Sequence, residues 1–115
     1  MDSPYTPAQR GFLRAQQTGR LLTVASDGPE LTTVLYQMSG DVVVAGGVDL
    51  TRTAAWADVG RRGRAVLVVD EIVPGNPPRS RGVRLEGSAT VDADRPRPVL
   101  RLCAESVRSW SLEPG

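Results

Sequence analysis

Residues 45–70 read AGGVDLTRTAAWADVGRRGRAVLVVD, and this stretch joins two apolar segments through a glycine pair and a short polar-apolar run. The apolar segments are typical of strands and the run between them is typical of a helix. Gly46 and Gly47 lack a Cβ atom, so they accept a positive φ and let another group approach the backbone closely. This order of strand, glycine bend, helix and strand is a layout that can hold an anionic ligand.

The beginning of that helix carries the residues that would contact such a ligand. Asp49 or Thr51 is predicted to cap the helix, because amides of the first turn have no partner within the helix. Arg52 follows in the predicted first turn, where the helix dipole favours an anion rather than a cation. A bound phosphate would explain both the arginine and the unpaired amides. An ordinary connection with a solvated arginine explains the same residues equally well.

Composition limits the class of protein. The chain has 115 residues, and residues 1–115 are expected to form a single domain. A formal net charge of +1 argues against a dedicated nucleic-acid-binding protein. No apolar run approaches the roughly 20 residues of a membrane span, and the N-terminal residues lack the pattern of a signal peptide. We therefore expect a cytoplasmic protein without nucleic-acid or membrane partners.

The missing residue types limit the chemistry. The chain contains no histidine, no lysine and a single cysteine, Cys103. Histidine acid-base catalysis, a Schiff base on lysine and an intrachain disulfide are therefore excluded, and no metal site is predicted. Cys103 lies in an apolar segment and is predicted to be a small buried residue. A bound cofactor that performs the difficult step fits this composition best.

Short apolar segments separated by turn residues dominate the rest of the chain. Helices are predicted from Thr6 to Gln17 and from the Thr51 region to Gly60, which would be its C-terminal cap. Strands are predicted at residues 21–26, 31–38, 42–45, 65–69, 83–92, 99–103 and 106–112. Six to seven short strands with two short helices in so small a chain indicate a mainly β protein with a closed barrel.

With these elements in place, the chain resembles the pyridoxamine-phosphate-oxidase-like split β-barrel family. It is similar in particular to small actinobacterial proteins of the coenzyme F420-dependent branch. The resemblance rests on the order and spacing of GRLLTVASDG (19–28), GGVDLTRTAAWADV (46–59), AVLVVDE (65–71), SRGVRLEGSA (80–89) and VLRLCAESVRSWSLE (99–113). It implies a split β-barrel of the FMN-binding, flavin-reductase-like type.

The resemblance also implies a homodimer with two cofactor sites in grooves at the subunit interface. The cofactor would be coenzyme F420, with FMN as the alternative. The implied cofactor-binding residues are Thr33, Val34, Leu35, Gly46, Gly47, Thr51, Arg52, Thr53, Arg81 and Gly82. Thr51 to Thr53 would hold the phosphate, residues 33–35 would pass under the ring, and Arg81 and Gly82 would face the cofactor.

Members of the family usually carry basic residues after the position of Thr53, where this chain has Ala54 and Ala55. They also carry a proline in the second strand, and a Trp-Gly pair where Trp110 precedes a serine. The leading hypothesis is hydride transfer from reduced F420 to a conjugated or imine-like small molecule, with the proton from solvent or Tyr36. The alternatives are an FMN-dependent oxidoreductase and a member without redox chemistry, acting as a binding protein or a cofactor-free cyclase or isomerase.

Overall fold

The computed structural model describes residues 3–47, 50–94 and 97–112, which build a closed antiparallel barrel. Around the barrel the strands follow the order β1-β2-β3-β6-β5-β4. The elements are α1 (Pro7–Ala15), β1 (Thr18–Ala25), β2 (Gly28–Ser39), β3 (Val42–Gly46), α2 (Ala54–Arg62), β4 (Arg64–Val73), β5 (Arg79–Asp92) and β6 (Val99–Trp110), with a 3-10 turn at Leu50–Arg52. The prediction of a mainly β barrel with short helices is confirmed.

The barrel interior is filled by alternate residues of every strand, because successive side chains of a strand point to opposite faces. On β5 the inward residues Val83 and Leu85 are fully buried, whereas Arg84 and Glu86 between them are partly exposed. Leu21, Leu67, Leu100 and Leu102 reach the same core from other strands. The alternation predicted for residues 83–92 is confirmed.

Helix α1 lies across one part of the barrel and is tied to it by polar contacts. Thr6 is its N-cap, and the Thr6 and Gln9 side chains form a reciprocal capping box. The Gln9 side-chain amide also donates to the Ser109 hydroxyl on β6 at 3.0 Å. Near the helix C-terminus, the Tyr36 hydroxyl donates to the Leu13 carbonyl oxygen at 2.6 Å. Both ends of α1 are therefore held against the barrel.

Helix α2 packs mainly against β1. Its buried face includes the carboxylate of Asp58, which accepts a hydrogen bond from the Thr23 hydroxyl at 2.8 Å and pairs with Arg61. The helix ends at Gly63, whose φ of 67° is the left-handed conformation that glycine adopts without strain. The prediction of Gly60 as the cap is wrong, because the helix continues for two residues past it, to Arg62.

The last strand differs most from the prediction. Residues 99–110 form the single strand β6, where two shorter strands are predicted. A register shift opposite Glu86 and Gly87 leaves Glu105 without a partner residue on β5, so a bulge replaces the predicted break. Cys103 lies on the outward face before this bulge and is exposed, so its predicted burial is wrong.

None of the helices in the described part of the chain is long and apolar enough to cross a membrane.

Candidate cofactor-binding site

The connection between β3 and α2 has a different local structure from the one predicted. Leu50–Arg52 is a 3-10 turn, and Thr53 rather than Thr51 is the N-cap of α2. The Thr53 hydroxyl donates to the Leu50 carbonyl oxygen at 2.6 Å and accepts from the Trp56 amide at 3.3 Å. Arg52 therefore precedes the cap instead of lying in the first helical turn. The alternative cap, Asp49, lies outside the described residues.

Arg52 and Thr51 both project from this turn into solvent. In the part of the chain that the structure describes, the guanidinium of Arg52 takes part in no hydrogen bond or ion pair. The free guanidinium and the Thr51 hydroxyl can therefore both bind an anion. Thr53 is half-buried, and its hydroxyl already serves the helix cap.

The two glycines before the turn face open space. Gly47 has a φ of 127°, a conformation that other residues adopt only with strain. A Cβ atom added to Gly46 or Gly47 would meet no atom within 4 Å. No contact within the described chain therefore requires glycine at position 46, and this surface is free for a ligand to approach.

The two alanines that replace the family's basic residues are not equivalent. Ala55 is fully buried in the core, whereas Ala54 is partly exposed at the first position of α2. A basic side chain at position 55 would point into the barrel and could not reach a ligand at the turn. Of the two positions, only position 54 could therefore carry a basic side chain that reaches a ligand at the turn.

Strand β2 divides its predicted site residues between two faces. Thr33 and Leu35 point outward, and Leu35 is 55% exposed, whereas Val34 is buried in the core. Leu35 is paired with Gly46 on the neighbouring strand β3. The outward side chains of β2 and Gly46 therefore share one surface, and the side chain of Val34 does not belong to it.

That surface continues into an apolar face formed by the outer sides of β2, β1 and β4. Leu22 is paired with Leu31 on one side and with Val66 on the other, so three apolar side chains lie in one row. Leu31 and Val24 are 61% and 49% exposed. The apolar residues of this face are Leu22, Val24, Leu31, Leu35, Val66 and Val68. Arg20 lies on the same side of β1 and is ion-paired with Asp70 of β4 at 2.6 Å. We call it the β2–β1–β4 face. Of these residues the sequence analysis singled out Leu35 but not Leu22, Val24 or Leu31, although the apolar residues on both faces of residues 31–38 indicated an exposed apolar face.

Arg81 and Gly82 lie apart from the glycine bend. In the closed six-stranded barrel, β2 and β5 are three strands apart in either direction, so Leu35 and Gly82 lie on opposite sides of the barrel. A Cβ atom on Gly82 would lie 2.6 Å from the Trp110 ring and 2.6 Å from the Val69 carbonyl oxygen. Packing within the chain therefore explains this glycine. Within one subunit the structure does not bring Arg81 and Gly82 together with the other predicted residues.

Tyr36 is a core residue in this structure, with 5% of its surface exposed. Burial, and to a lesser extent the neighbouring Tyr5, raises the pKa of its hydroxyl above the ordinary value for tyrosine. The proton of that hydroxyl is already donated to the Leu13 carbonyl oxygen. These contacts favour solvent over Tyr36 as the source of a proton, and catalysis by Tyr36 stays an untested prediction.

Comparison with curated proteins identifies a relative over nearly the whole chain. The 5a,11a-dehydrotetracycline/5a,11a-dehydrooxytetracycline reductase of Streptomyces rimosus is 30% identical over 122 aligned positions, which cover 96% of this chain and 85% of that protein. The chain belongs to the family of this reductase. No protein-family profile matches it.

Solved structures show the same fold at lower identity. A FAD-binding protein from Mesorhizobium loti is 18% identical with a TM-score of 0.71, and 87% of each chain is covered. A protein from Listeria innocua assigned as a pyridoxamine 5′-phosphate oxidase is 16% identical with a TM-score of 0.70, over 87% of this chain and 93% of that one. The barrel is therefore the split barrel of the pyridoxamine 5′-phosphate oxidase-like proteins, as the resemblance predicts.

Proposed function

We propose that this protein is a reductase that reduces an activated double bond of a small organic molecule, with a flavin-type cofactor bound at the interface of a homodimer. The observation that carries the proposal is the 30% identity, across 96% of the chain, to a reductase of dehydrotetracyclines. The name of that relative describes removal of a carbon-carbon double bond from a polycyclic molecule. The proposed cofactor is reduced coenzyme F420, with FMN as the alternative.

The described residues fit such a cofactor. Arg52 and Thr51 provide a free guanidinium and a hydroxyl for a phosphate, and Arg-phosphate hydrogen bonds are among the stronger ones in proteins. Gly46 leaves open space beside Leu35, so a flat ring can lie against the barrel at that point. The β2–β1–β4 face next to it is mainly apolar and exposed among the described residues, and a second subunit would enclose the ring there.

The chemistry divides between the cofactor and the chain. Reduced F420, when bound, supplies a hydride to the electron-poor carbon of the substrate. The residues around the bend bind and orient the phosphate and ring, and a partner subunit over the β2–β1–β4 face would exclude water from the reacting atoms. The proton that completes the reduction comes from solvent, because the Tyr36 hydroxyl is buried and committed to Leu13.

Cofactor retention tests the proposal directly. The purified protein is mixed separately with F420, FMN and FAD, desalted, and examined by absorbance and fluorescence. We expect retention of one of them, and faster oxidation of its reduced form when 2-cyclohexen-1-one is added without oxygen. Retention of none would reject hydride transfer, and the bend would then serve a ligand without redox chemistry.

Arg52 provides the sharpest single test of the phosphate site. Arg52→Ala should weaken binding of the phosphorylated cofactor by about 1.5 to 3 kcal/mol, a tenfold or greater loss, because one charge-assisted contact disappears. The phosphate-free ring should bind the variant as well as it binds the wild type. Titration by fluorescence measures both.

Arg62→Ala is the matched control, since Arg62 is also exposed but lies at the opposite end of α2. It should leave both titrations unchanged. Equal losses in the two variants would show that only net charge matters and would contradict the assignment of Arg52.

Ala54→Lys should tighten phosphate binding, whereas a lysine at the buried position 55 would test only folding.

A further inference from the structure

A groove of about 330 Å³ lies between α1 and the ends of β5 and β6, away from the glycine bend. One wall consists of the small residues Ala8, Gly11 and Ala15 of α1. Pro7, Phe12, Arg81 and Leu112 complete the lining. The size is that of a pocket for a small molecule, and its surface is mainly apolar with one charged group.

Gly11 has no explanation within the described chain. It lies in the middle of α1, where glycine lowers helix stability relative to alanine. A Cβ atom at this position would meet nothing within 4 Å, so no internal contact requires its absence. The glycine leaves bare helix backbone at the wall of the groove, which lets a flat group lie directly against it.

Arg81 is held in a fixed position at the other side of the groove. Its Nε and Nη2 atoms both lie 2.5 Å from Oε2 of Glu71, and Oε1 of Glu71 accepts a hydrogen bond from the Gln16 side chain at 3.3 Å. The guanidinium carbon lies 5.4 Å from the centre of the Phe12 ring. Among the described residues no group bonds to Nη1, so this edge of the guanidinium remains available to an acceptor.

The groove is also preformed. Its helical wall is held at one end by the Gln9–Ser109 hydrogen bond and at the other by the Tyr36–Leu13 hydrogen bond. Phe12, which also lines the groove, is largely buried. Binding would therefore require little ordering of the chain.

We propose that this groove binds a flat aromatic small molecule with an acidic oxygen, such as a carboxylate, phenolate or enolate. The aromatic ring of the ligand lies against the backbone of Gly11 and contacts the Phe12 side chain. The acidic oxygen of the ligand accepts hydrogen bonds from Nη1 of Arg81. This ligand site is separate from the proposed cofactor site at the glycine bend.

The test uses anthraquinone-2-carboxylate and its neutral analogue anthraquinone-2-carboxamide, titrated into the full-length protein by calorimetry. Wild type should bind the carboxylate at one site per chain, and Gly11→Leu should weaken it at least tenfold by filling the groove. Gly60→Leu is the matched control, because Gly60 also lies within a helix and faces open space but lines no part of the groove. It should bind as wild type does.

Charge recognition is tested at Arg81. Arg81→Gln should lose at least tenfold in affinity for the carboxylate and less than threefold for the carboxamide. Arg64→Gln, at another ion-paired arginine outside the groove, should change neither. Equal binding by Gly11→Leu and Gly60→Leu, or no carboxylate binding to wild type at its solubility limit, would overturn the proposal.

Cofactor retention measured on the same variants keeps the two proposals separate. Gly11→Leu should retain F420 or FMN as wild type does, and Gly46→Val should lose the cofactor while still binding the carboxylate. A chain that binds the carboxylate through Gly11 and Arg81 but retains no cofactor would reject the reductase function and keep the groove. Loss of carboxylate binding in Gly46→Val would place the probe at the bend and overturn the groove proposal.

Discussion

Gly87→Ala is expected to destabilise the barrel by about 3 kcal/mol or more, a large part of the 5 to 15 kcal/mol typical of a folded domain. A Cβ atom at this position would lie 1.9 Å from the carbonyl oxygen of Cys103 on the neighbouring strand. That oxygen belongs to the backbone beside the β6 bulge, so it cannot move aside as a side chain could. Chemical denaturation followed by circular dichroism measures the loss.

Gly60→Ala is the control for this measurement. Gly60 lies in the interior of α2, is exposed, and has open space where the methyl group would go. Alanine there should stabilise the protein by about 0.5 to 1 kcal/mol through its higher helix propensity. Equal stability of Gly87→Ala and wild type would show that β6 does not approach β5 as closely as the structure has it.

Leu31→Asp is expected to convert the proposed homodimer into a monomer and to abolish cofactor retention. Leu31 is 61% exposed in one chain, so the change should alter the stability of the monomer by less than about 0.5 kcal/mol. In a dimer formed through the β2–β1–β4 face, the carboxylate would be buried against apolar side chains, at a cost of several kcal/mol. That corresponds to a loss of at least a hundredfold in dimer affinity. Light scattering at micromolar concentration measures the mass.

Thr90→Asp provides the matched control, since Thr90 is an exposed strand residue on β5, outside the β2–β1–β4 face. It should remain dimeric and retain the cofactor. A wild-type protein with the mass of one chain would reject both the interface and the cofactor site that depends on it. A Leu31→Asp dimer that still binds cofactor would place the interface on another surface.

Local rules were sufficient for much of the fold. The capping box at Thr6 and Gln9 and the alternation of residues 83–92 involve neighbours in sequence, and the structure has both. The positive φ of Gly47 is also a local property, because the glycine pair lies at a bend between a strand and a helical turn. The number of strands was predicted within one, since turn residues separate most of the apolar segments.

Which residues lie together at the candidate site depends on contacts between segments that are distant in the sequence. Apolar residues on both sides of residues 31–38 do not reveal which side is the core, and only pairing with β1 and β3 places Leu35 outside and Val34 inside. Pairing through β6 places Ala45, next to Gly46, in line with Val91, which is far along β5 from Arg81.

The sequence by itself determined a small mainly β barrel with a glycine bend, because strand periodicity, capping and turn chemistry act over a few residues. The tertiary structure alone decided that Ala55 is buried, that Gly87 lies against Cys103, and that Gly11 borders a groove. Each of these depends on how elements far apart in the chain pack together. The hydrophobic pattern of one segment does not determine which other segment it packs against.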